Sequence, residues 1–266
     1  MSASSDRLAR LFLRYASPLA GLRRLPLIGP CVSWASGMFV PRNARTWVQV
    51  QRGPAAGLWL HLNPRTGRPY FEGQVEPEVQ SVLQQQLRPG MVFYDIGANV
   101  GFFTILAARL VGPEGRVTSF EADPEVAARL REHVARNACA QVTVEQRAVW
   151  SESCGVLFER TDPRSSPDRG LGRVVSAGAG NTIPVNAVSL DEYARTSGPP
   201  DFVKCDVEGA EVEVFRGAQN LLQERRPGIL CEMHSEENRR ILLGEFSLHG
   251  YACQPCGEHH VLALPR

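Results

Sequence analysis

A glycine-rich turn at residues 95–101, Asp-Ile-Gly-Ala-Asn-Val-Gly, lies directly between a short apolar segment and an apolar helical pattern. The first segment predicts a strand over Val92–Ile96 and the second a helix over Phe102–Leu110. Gly97 can adopt the positive φ of a sharp turn, and missing side chains let a ligand approach the helix N-terminus. In such sheets, ligands bind at the carboxyl ends of strands, where the strand order reverses. The turn therefore predicts a ligand site with four candidate residues: Asp95, Gly97, Asn99 and Gly101.

Strands and helices alternate along most of the remaining chain. Further strands are predicted at 116–120, 142–149, 183–186, 202–205 and 229–231, with a closing pair at 251–254 and 261–264. Helices are predicted at 125–137, 211–224 and 236–248. This alternation predicts an α/β fold with a doubly wound, mostly parallel seven-stranded sheet, helices on both faces and an antiparallel last strand, which is a Rossmann-like arrangement.

Three segments are expected along the chain. Residues 1–45 form a basic amphipathic extension, 46–90 a β-hairpin and a lead-in helix, and 91–266 the main domain. The hairpin is predicted from alternating residues at 47–51 and 58–62. Residues 161–181 are polar and rich in Pro, Ser and Gly, which predicts a loop inserted into the main domain.

Charge is distributed unevenly. Residues 1–68 carry ten arginines against one acid, Asp6, so a net charge of +1 leaves 1 − 9 = −8 for the remainder. Leucines and aromatic residues at 8–22 have helical spacing, which indicates a helix that packs on the domain, lies on a membrane surface or acts as a presequence. Residues 25–41 lack charge but are too short and interrupted to span a membrane. Among 29 basic residues only Lys204 is a lysine, so nucleic acid is not an expected partner.

The cysteines indicate a reducing compartment. There are seven, an odd number scattered along the chain, and a cytoplasmic location, with peripheral membrane contact as an option, is expected. A zinc site at Cys253, Cys256, His259 and His260 is disfavoured, because no second cysteine pair accompanies the first.

The first two strand ends favour S-adenosylmethionine as the ligand. The Gly-x-x-x-Gly spacing suits a pyrophosphate poorly, and an acid at its start favours a cationic group such as the methionine amino group. Glu121 ends the next strand, where a carboxylate can accept hydrogen bonds from both ribose hydroxyls, or cap the surface beside Asp123. Ala148 and Val149 are expected beside the adenine, where Trp150 either stacks or packs at the rim.

A second acidic turn, Lys-Cys-Asp-Val-Glu-Gly-Ala-Glu at 204–211, follows another buried strand. It places Asp206 and Glu208 at the same sheet edge, and Glu232 and His234 follow the neighbouring strand. His234 is the first candidate for a general base and Asp206 the second, although His234 could equally be tied into the sheet edge. Glu208 and Glu232 are candidates for substrate binding, and Asp206 with Glu232 could instead bind Mg²⁺.

Together these motifs resemble the FkbM family of S-adenosylmethionine-dependent methyltransferases over roughly residues 70–255. The segments Asp-Ile-Gly-Ala-Asn-Val-Gly, Phe-Glu-Ala-Asp-Pro, Ser-Leu-Asp-Glu-Tyr, Asp-Val-Glu-Gly-Ala-Glu and Cys-Glu-Met-His occur in that family's order. The resemblance implies an O-methyltransferase acting on a sugar, a glycan or a polyketide-like hydroxyl, that is, a small-molecule or glycan acceptor. Two alternatives are an NAD-dependent oxidoreductase and a non-catalytic ligand-binding or scaffold protein. The oligomeric state is not predicted.

Overall fold

The computed structural model describes residues 44–160, 172–175 and 180–266. The predicted N-terminal helix and most of the predicted 161–181 loop lie outside these residues. The chain divides into two compact units, one ending at Val75 and one running from Glu76 to Arg266, and the predicted boundaries at 45 and 90 stay predictions. In the first unit, β1 (Thr46–Gln49) pairs antiparallel with β2 (Trp59–Leu62), which confirms the predicted hairpin, and α1 (Arg68–Glu72) follows.

The second unit contains a seven-stranded sheet. Its strands are β3 (Val92–Ile96), β4 (Arg116–Phe120), β5 (Val142–Glu145), β10 (Phe202–Cys205), β11 (Gly228–Glu232), β12 (Tyr251–Cys256) and β13 (His260–Pro265). Their order is β12-β13-β11-β10-β3-β4-β5. β13 runs antiparallel to both neighbours, whereas β11, β10, β3, β4 and β5 pair in parallel. The mostly parallel, Rossmann-like sheet with an antiparallel last strand is therefore confirmed.

Helices connect these strands in both directions from the centre of the sheet. They are α2 (Pro77–Gln86), α3 (Phe102–Val111), α4 (Pro124–Arg136), α5 (Leu190–Ser197), α6 (Glu211–Arg216) and α7 (Glu236–Leu248). The chain moves one way through α3 and α4 and the opposite way from β10 through α6 to β11. Because crossovers are right-handed, opposite directions place these helices on opposite faces. The strand order reverses between β3 and β10, where a ligand is expected to bind.

A smaller sheet forms beside the main one. The predicted strand at 142–149 is wrong in one respect, because it breaks after Glu145, and Arg147 turns back to form an ion pair with Glu145 at 2.8 Å. Residues beyond the break join a four-stranded sheet of β6 (Ala148–Val149), β7 (Gly155–Glu159), β8 (Arg173–Val175) and β9 (Thr182–Val188). Its order is β6-β9-β7-β8, and β9 contains the strand predicted at 183–186.

The predicted helix at 211–224 is also interrupted. α6 ends at Arg216, and a π-helical turn follows at Leu221–Arg225. The Asp191 carboxylate accepts hydrogen bonds from the backbone N–H groups of Asn220 and Leu221 at 3.0 and 2.8 Å, so it caps a new helical start. The helix predicted at 236–248 is confirmed as α7. In the part of the chain that the structure describes, no helix is long and apolar enough to cross a membrane.

Candidate active site

A cleft opens at the carboxyl ends of β3, β4 and β10, the edge at which ligands bind in such sheets. Seven predicted site residues line it: Gly97, Asn99, Glu121, Ala148, Val149, Asp206 and Glu208. The remaining predicted residues, Asp95, Gly101, Glu232 and His234, are not among the lining residues. Most of the residues predicted to bind S-adenosylmethionine therefore line one cleft, as expected for residues at the carboxyl ends of parallel strands.

The glycine turn allows β3 and β10 to end in close contact. Gly97 has a φ of +72°, and a Cβ there would lie 1.7 Å from the carbonyl oxygen of Asp206. Asn99 and Glu208 hold positive φ values of 51° and 52° without being glycine, a conformation that is uncommon for residues with a side chain. Gly101 has a different role, since a Cβ would lie 2.0 Å from Leu130 Cδ1, so its missing side chain makes room for α4.

Asp95 lies behind the turn and is fully buried. Its Oδ2 accepts a 2.6 Å hydrogen bond from the Thr104 hydroxyl, and its Oδ1 lies 3.8 Å from Lys204 Nζ. Burial raises the pKa of this carboxyl group, although Lys204 and Thr104 oppose the rise. Direct contact between Asp95 and a ligand amino group stays a prediction, whereas its contacts hold the first turn in position.

Glu121 connects the turn to the cleft. Its two carboxylate oxygens accept hydrogen bonds from the backbone N–H groups of Asn99 and Asp123, each at 2.9 Å. Burial raises its pKa to about 7, although these two hydrogen bonds oppose the rise. Each oxygen keeps a lone pair that can accept a further hydrogen bond. A cleft-lining carboxylate fixed in this way fits a ligand with two neighbouring hydroxyl groups.

The smaller sheet supplies cleft residues that the sequence did not predict. Phe158 on β7 and the segment 172–174 line the cleft together with Arg147. A Cβ on Gly172 would lie 2.3 Å from the Phe158 ring, so the chain passes closely over this ring. Trp150, considered for stacking, packs instead against the apolar cluster of the smaller sheet. In the sequence, alternating apolar residues at 156 and 158 were the local signal for a strand in this part of the cleft.

Lys204 lies at the centre of the sheet edge and is only 2% exposed. Its ammonium group donates a 3.3 Å hydrogen bond to Asp206 Oδ2, approaches Asp95 Oδ1 at 3.8 Å, and lies 5.2 Å from the Phe103 ring centroid. Burial lowers its pKa, but Asp206 and Asp95 raise it further, so the net shift is upward. This one cation thus connects the acidic turns that follow β3 and β10.

His234 faces several carboxylates beyond the end of β11. Its Nδ1 lies 2.6 Å from Glu211 Oε1, and its Nε2 lies 3.3 Å from Glu208 and 3.8 and 3.9 Å from Asp206 and Glu232. Together these five residues, Asp206, Glu208, Glu211, Glu232 and His234, are called the acidic cluster below. Four of them were predicted to meet at this edge, and the structure brings them together.

Glu211, in the first turn of α6, contacts His234. It is fully buried and also accepts hydrogen bonds from the Gly209 N–H at 2.9 Å and from Asn238 Nδ2 at 2.6 Å. A buried carboxylate on Nδ1 fixes the ring orientation and leaves Nε2 directed at the other carboxylates. Glu211 is therefore a positioning residue for His234.

Mutual charges set the protonation of this cluster. Burial lowers the pKa of His234, but the Glu211 hydrogen bond and the nearby carboxylates raise it to about 9. Burial and the charge of Asp206 raise the pKa of Glu232 to about 8. Burial also raises the pKa of Asp206, but Lys204 and His234 bring it below the usual value. His234 is therefore mostly protonated at neutral pH, with Asp206 ionised beside it.

Comparisons with known proteins identify the family of this chain. A family model described as the methyltransferase FkbM domain matches residues 95–252, which is more than half of the chain. The hexuronic acid methyltransferase AglP of Haloferax volcanii is 28% identical over 162 residues, covering 60% of this chain and 63% of that protein. The chain therefore spans less than two thirds of that relative.

Two further matches carry the same family name. The 31-O-demethyl-FK506 methyltransferase FkbM of Streptomyces tacrolimicus is 28% identical over 221 residues, covering 72% of this chain and 79% of that protein. A crystal structure of methyltransferase FkbM from Methylobacillus flagellatus is 15% identical with a TM-score of 0.48, and covers 69% of this chain and 50% of that chain. With its motifs, its sheet order and a family match over residues 95–252, the chain belongs to the FkbM methyltransferase family.

Proposed function

We propose that this chain transfers a methyl group from S-adenosylmethionine to a hydroxyl group of a sugar, a glycan or a polyketide-like natural product. One observation carries the proposal: the cleft that contains Glu121 extends to Asp206 at the end of β10, and Asp206 Oδ1 lies 3.8 Å from Nε2 of His234, the ring that Glu211 orients. A donor and an acceptor held at such adjacent positions react as if they were parts of one molecule.

The cleft residues would hold the donor. Glu121 would accept hydrogen bonds from the ribose hydroxyls, the backbone at Gly97 and Asn99 would face the methionine part, and Ala148, Val149 and Phe158 would surround the adenine. When bound, S-adenosylmethionine supplies a methyl group already activated by its sulfonium charge. The main requirement on the chain is then to align the acceptor oxygen with that methyl group.

The acidic cluster would bind and deprotonate the acceptor. Glu208 and Glu232 can accept hydrogen bonds from neighbouring hydroxyl groups, as sugar recognition requires. Neutral His234 would take the proton from the reacting hydroxyl at Nε2, while Glu211 stabilises the imidazolium that forms. Asp206 remains the second candidate for the base. Mg²⁺ binding at Asp206 is disfavoured, because Oδ2 of that carboxylate accepts a hydrogen bond from Lys204 and its Oδ1 faces His234.

Methylation assays test the proposal directly. The full chain would be incubated with methyl-labelled S-adenosylmethionine and with uronic acid glycosides or hydroxylated macrolactones, and the label located by mass spectrometry. We expect label in an ether on one of these acceptors. Calorimetric binding of NAD and not of S-adenosylmethionine would favour an oxidoreductase, and binding of neither would favour a scaffold protein.

Glu121→Gln should weaken S-adenosylmethionine binding by about 10- to 100-fold, since hydrogen bonds to a charged group contribute about 1.5–3 kcal/mol each. The amide nitrogen of Gln would also face a backbone N–H, which cannot accept its hydrogen bond. Isothermal titration calorimetry gives the dissociation constant. Glu125→Gln is the control, because that side chain is 70% exposed and outside the cleft. An equal loss of affinity in both variants would show that Glu121 does not contact S-adenosylmethionine.

The rate should depend on pH through His234. A general base must be neutral, and the pKa of His234 in the free protein is about 9. Thus kcat/KM should fall by about tenfold for each pH unit below that value and level off above it. A profile measured from pH 6.5 to 10, with donor binding followed in parallel, checks this expectation. A flat profile below pH 9 would exclude His234 as the base.

A further inference from the structure

A second group of ligand-type side chains shares Glu232 with the acidic cluster, and its other two members have no part in the proposed reaction. It consists of Glu76, immediately before α2, Glu232 at the end of β11, and His260 at the start of β13. His260 Nε2 lies 3.6 Å from Glu76 Oε2 and 3.7 Å from Glu232 Oε2. One ligand atom from each of the three residues lies within 4.8 Å of the others. Antiparallel pairing of Glu232 with His260 fixes two of the three side chains on adjacent strands.

His260 is the unusual member of this group. The residue is only 4% exposed, yet its Nε2 makes no hydrogen bond within the described chain. Distances of 3.6 and 3.7 Å to the two carboxylates are too long for hydrogen bonds. Buried polar atoms are nearly always bonded, so an unbonded nitrogen directed between two carboxylates indicates a ligand for all three.

The donor atoms around His260 suit a cation. In its neutral form the imidazole has a lone pair on one ring nitrogen, and Nε2 is the nitrogen that faces the two carboxylates. A divalent ion among the three would receive two carboxylate oxygens and one imidazole nitrogen, the donor types that proteins use for such ions.

We infer that Glu76, Glu232 and His260 bind one divalent transition-metal ion, such as Mn²⁺ or Zn²⁺. The imidazole favours these ions over Mg²⁺ and Ca²⁺, which prefer all-oxygen sites. This assignment separates His260 from Cys253 and Cys256, with which the sequence pattern had grouped it.

The site adjoins the acidic cluster through Glu232. While Oε2 of this side chain faces His260, its Oε1 lies 3.9 Å from His234 Nε2. A bound ion would hold the Glu232 carboxylate in place through Oε2. The ion would thus set the position of one side of the proposed acceptor site.

Metal titration of the full chain tests the site without any methylation assay. Protein treated with a chelator and desalted is titrated with Mn²⁺, and free Mn²⁺ is followed by electron paramagnetic resonance. We expect one saturable equivalent, and at least tenfold weaker binding in His260→Gln and in Glu76→Gln. His259→Gln is the matched control, because this adjacent histidine is exposed, and it should bind like the wild type.

Several results would overturn the assignment. These are wild-type protein that binds no ion, unchanged affinity in both Glu76→Gln and His260→Gln, or an equal loss in His259→Gln. Loss of binding in Asp206→Asn alone would place the ion among Asp206, Glu232 and His234 instead. If His260→Gln does not fold by circular dichroism, Glu76→Gln decides, because that side chain is 35% exposed and its replacement disturbs the core less. Since every readout is metal binding, failure of the proposed methyl transfer would not affect it.

Discussion

His234→Gln is expected to lower kcat by about 10²- to 10⁴-fold, the range attributed to a positioned general acid or base. The glutamine can occupy the space and accept hydrogen bonds, but it cannot take a proton from the acceptor hydroxyl. His234 does not line the cleft around Glu121, so S-adenosylmethionine should bind with unchanged affinity. Single-turnover rates and calorimetry on the same preparation separate the two effects. Turnover within a few-fold of the wild-type rate would contradict His234 as the general base and favour Asp206.

Glu211→Gln distinguishes orientation from chemistry at the same position. The amide can keep a contact with His234 Nδ1 but removes the negative charge that raises the pKa of the ring. The pH profile of kcat/KM should therefore move to lower pH, together with a smaller loss of rate than in His234→Gln. His249→Gln, which removes a histidine paired with Glu245 away from the cluster, serves as the control and should leave the profile unchanged. A loss of rate without a shifted profile would reduce Glu211 to a structural role.

Local chemistry made the two turns predictable from the sequence. Asp95 lies near the end of a buried strand, Gly97, Glu121 and Asp206 follow such strands, and parallel strands bring their carboxyl ends to one edge. This rule alone placed Asp206 beside the glycine turn, where the structure brings its carbonyl oxygen against Gly97. The rule says which residues meet, but not which side chains face the cleft, and Asp95 turned out to lie behind it.

The rest of the site depends on contacts distant in sequence. The pairing of β7 with β9 and the passage of Gly172 over Phe158 form one side of the cleft, and the sequence pattern of each segment does not show which other segment it contacts. Likewise, Glu211 and His234 are 23 residues apart, and Glu76 and His260 lie near opposite ends of the second unit. Such pairs are determined by strand register and helix placement, which a pattern of single residues does not encode.

Lys204→Met should destabilise the fold by about 3–5 kcal/mol, the usual cost of removing one partner from a buried charge network. Methionine fits the space of the lysine stem, so the loss would arise mainly from Asp95 and Asp206, whose carboxylates would lose their shared cation. Urea denaturation followed by circular dichroism measures the free energy of unfolding. A loss below about 1 kcal/mol would mean that water or another side chain replaces the ammonium group.

The pH dependence of this loss distinguishes charge from packing. Without Lys204, burial should raise the pKa values of both carboxyl groups above those in the unfolded chain, so protonation at low pH would favour the folded state. The difference in stability between Lys204→Met and the wild type should therefore shrink as pH falls from 8 towards 5, whereas a packing defect would leave it constant.

Lys204→Arg tests whether the shape of the cation matters as well as its charge. All 28 other basic residues of the 29 are arginines, yet this buried position holds a lysine, whose compact ammonium group fits between two carboxylates and the Phe103 ring. We expect the larger guanidinium group to destabilise the fold despite keeping the charge, and wild-type stability in Lys204→Arg would show that charge alone is required there.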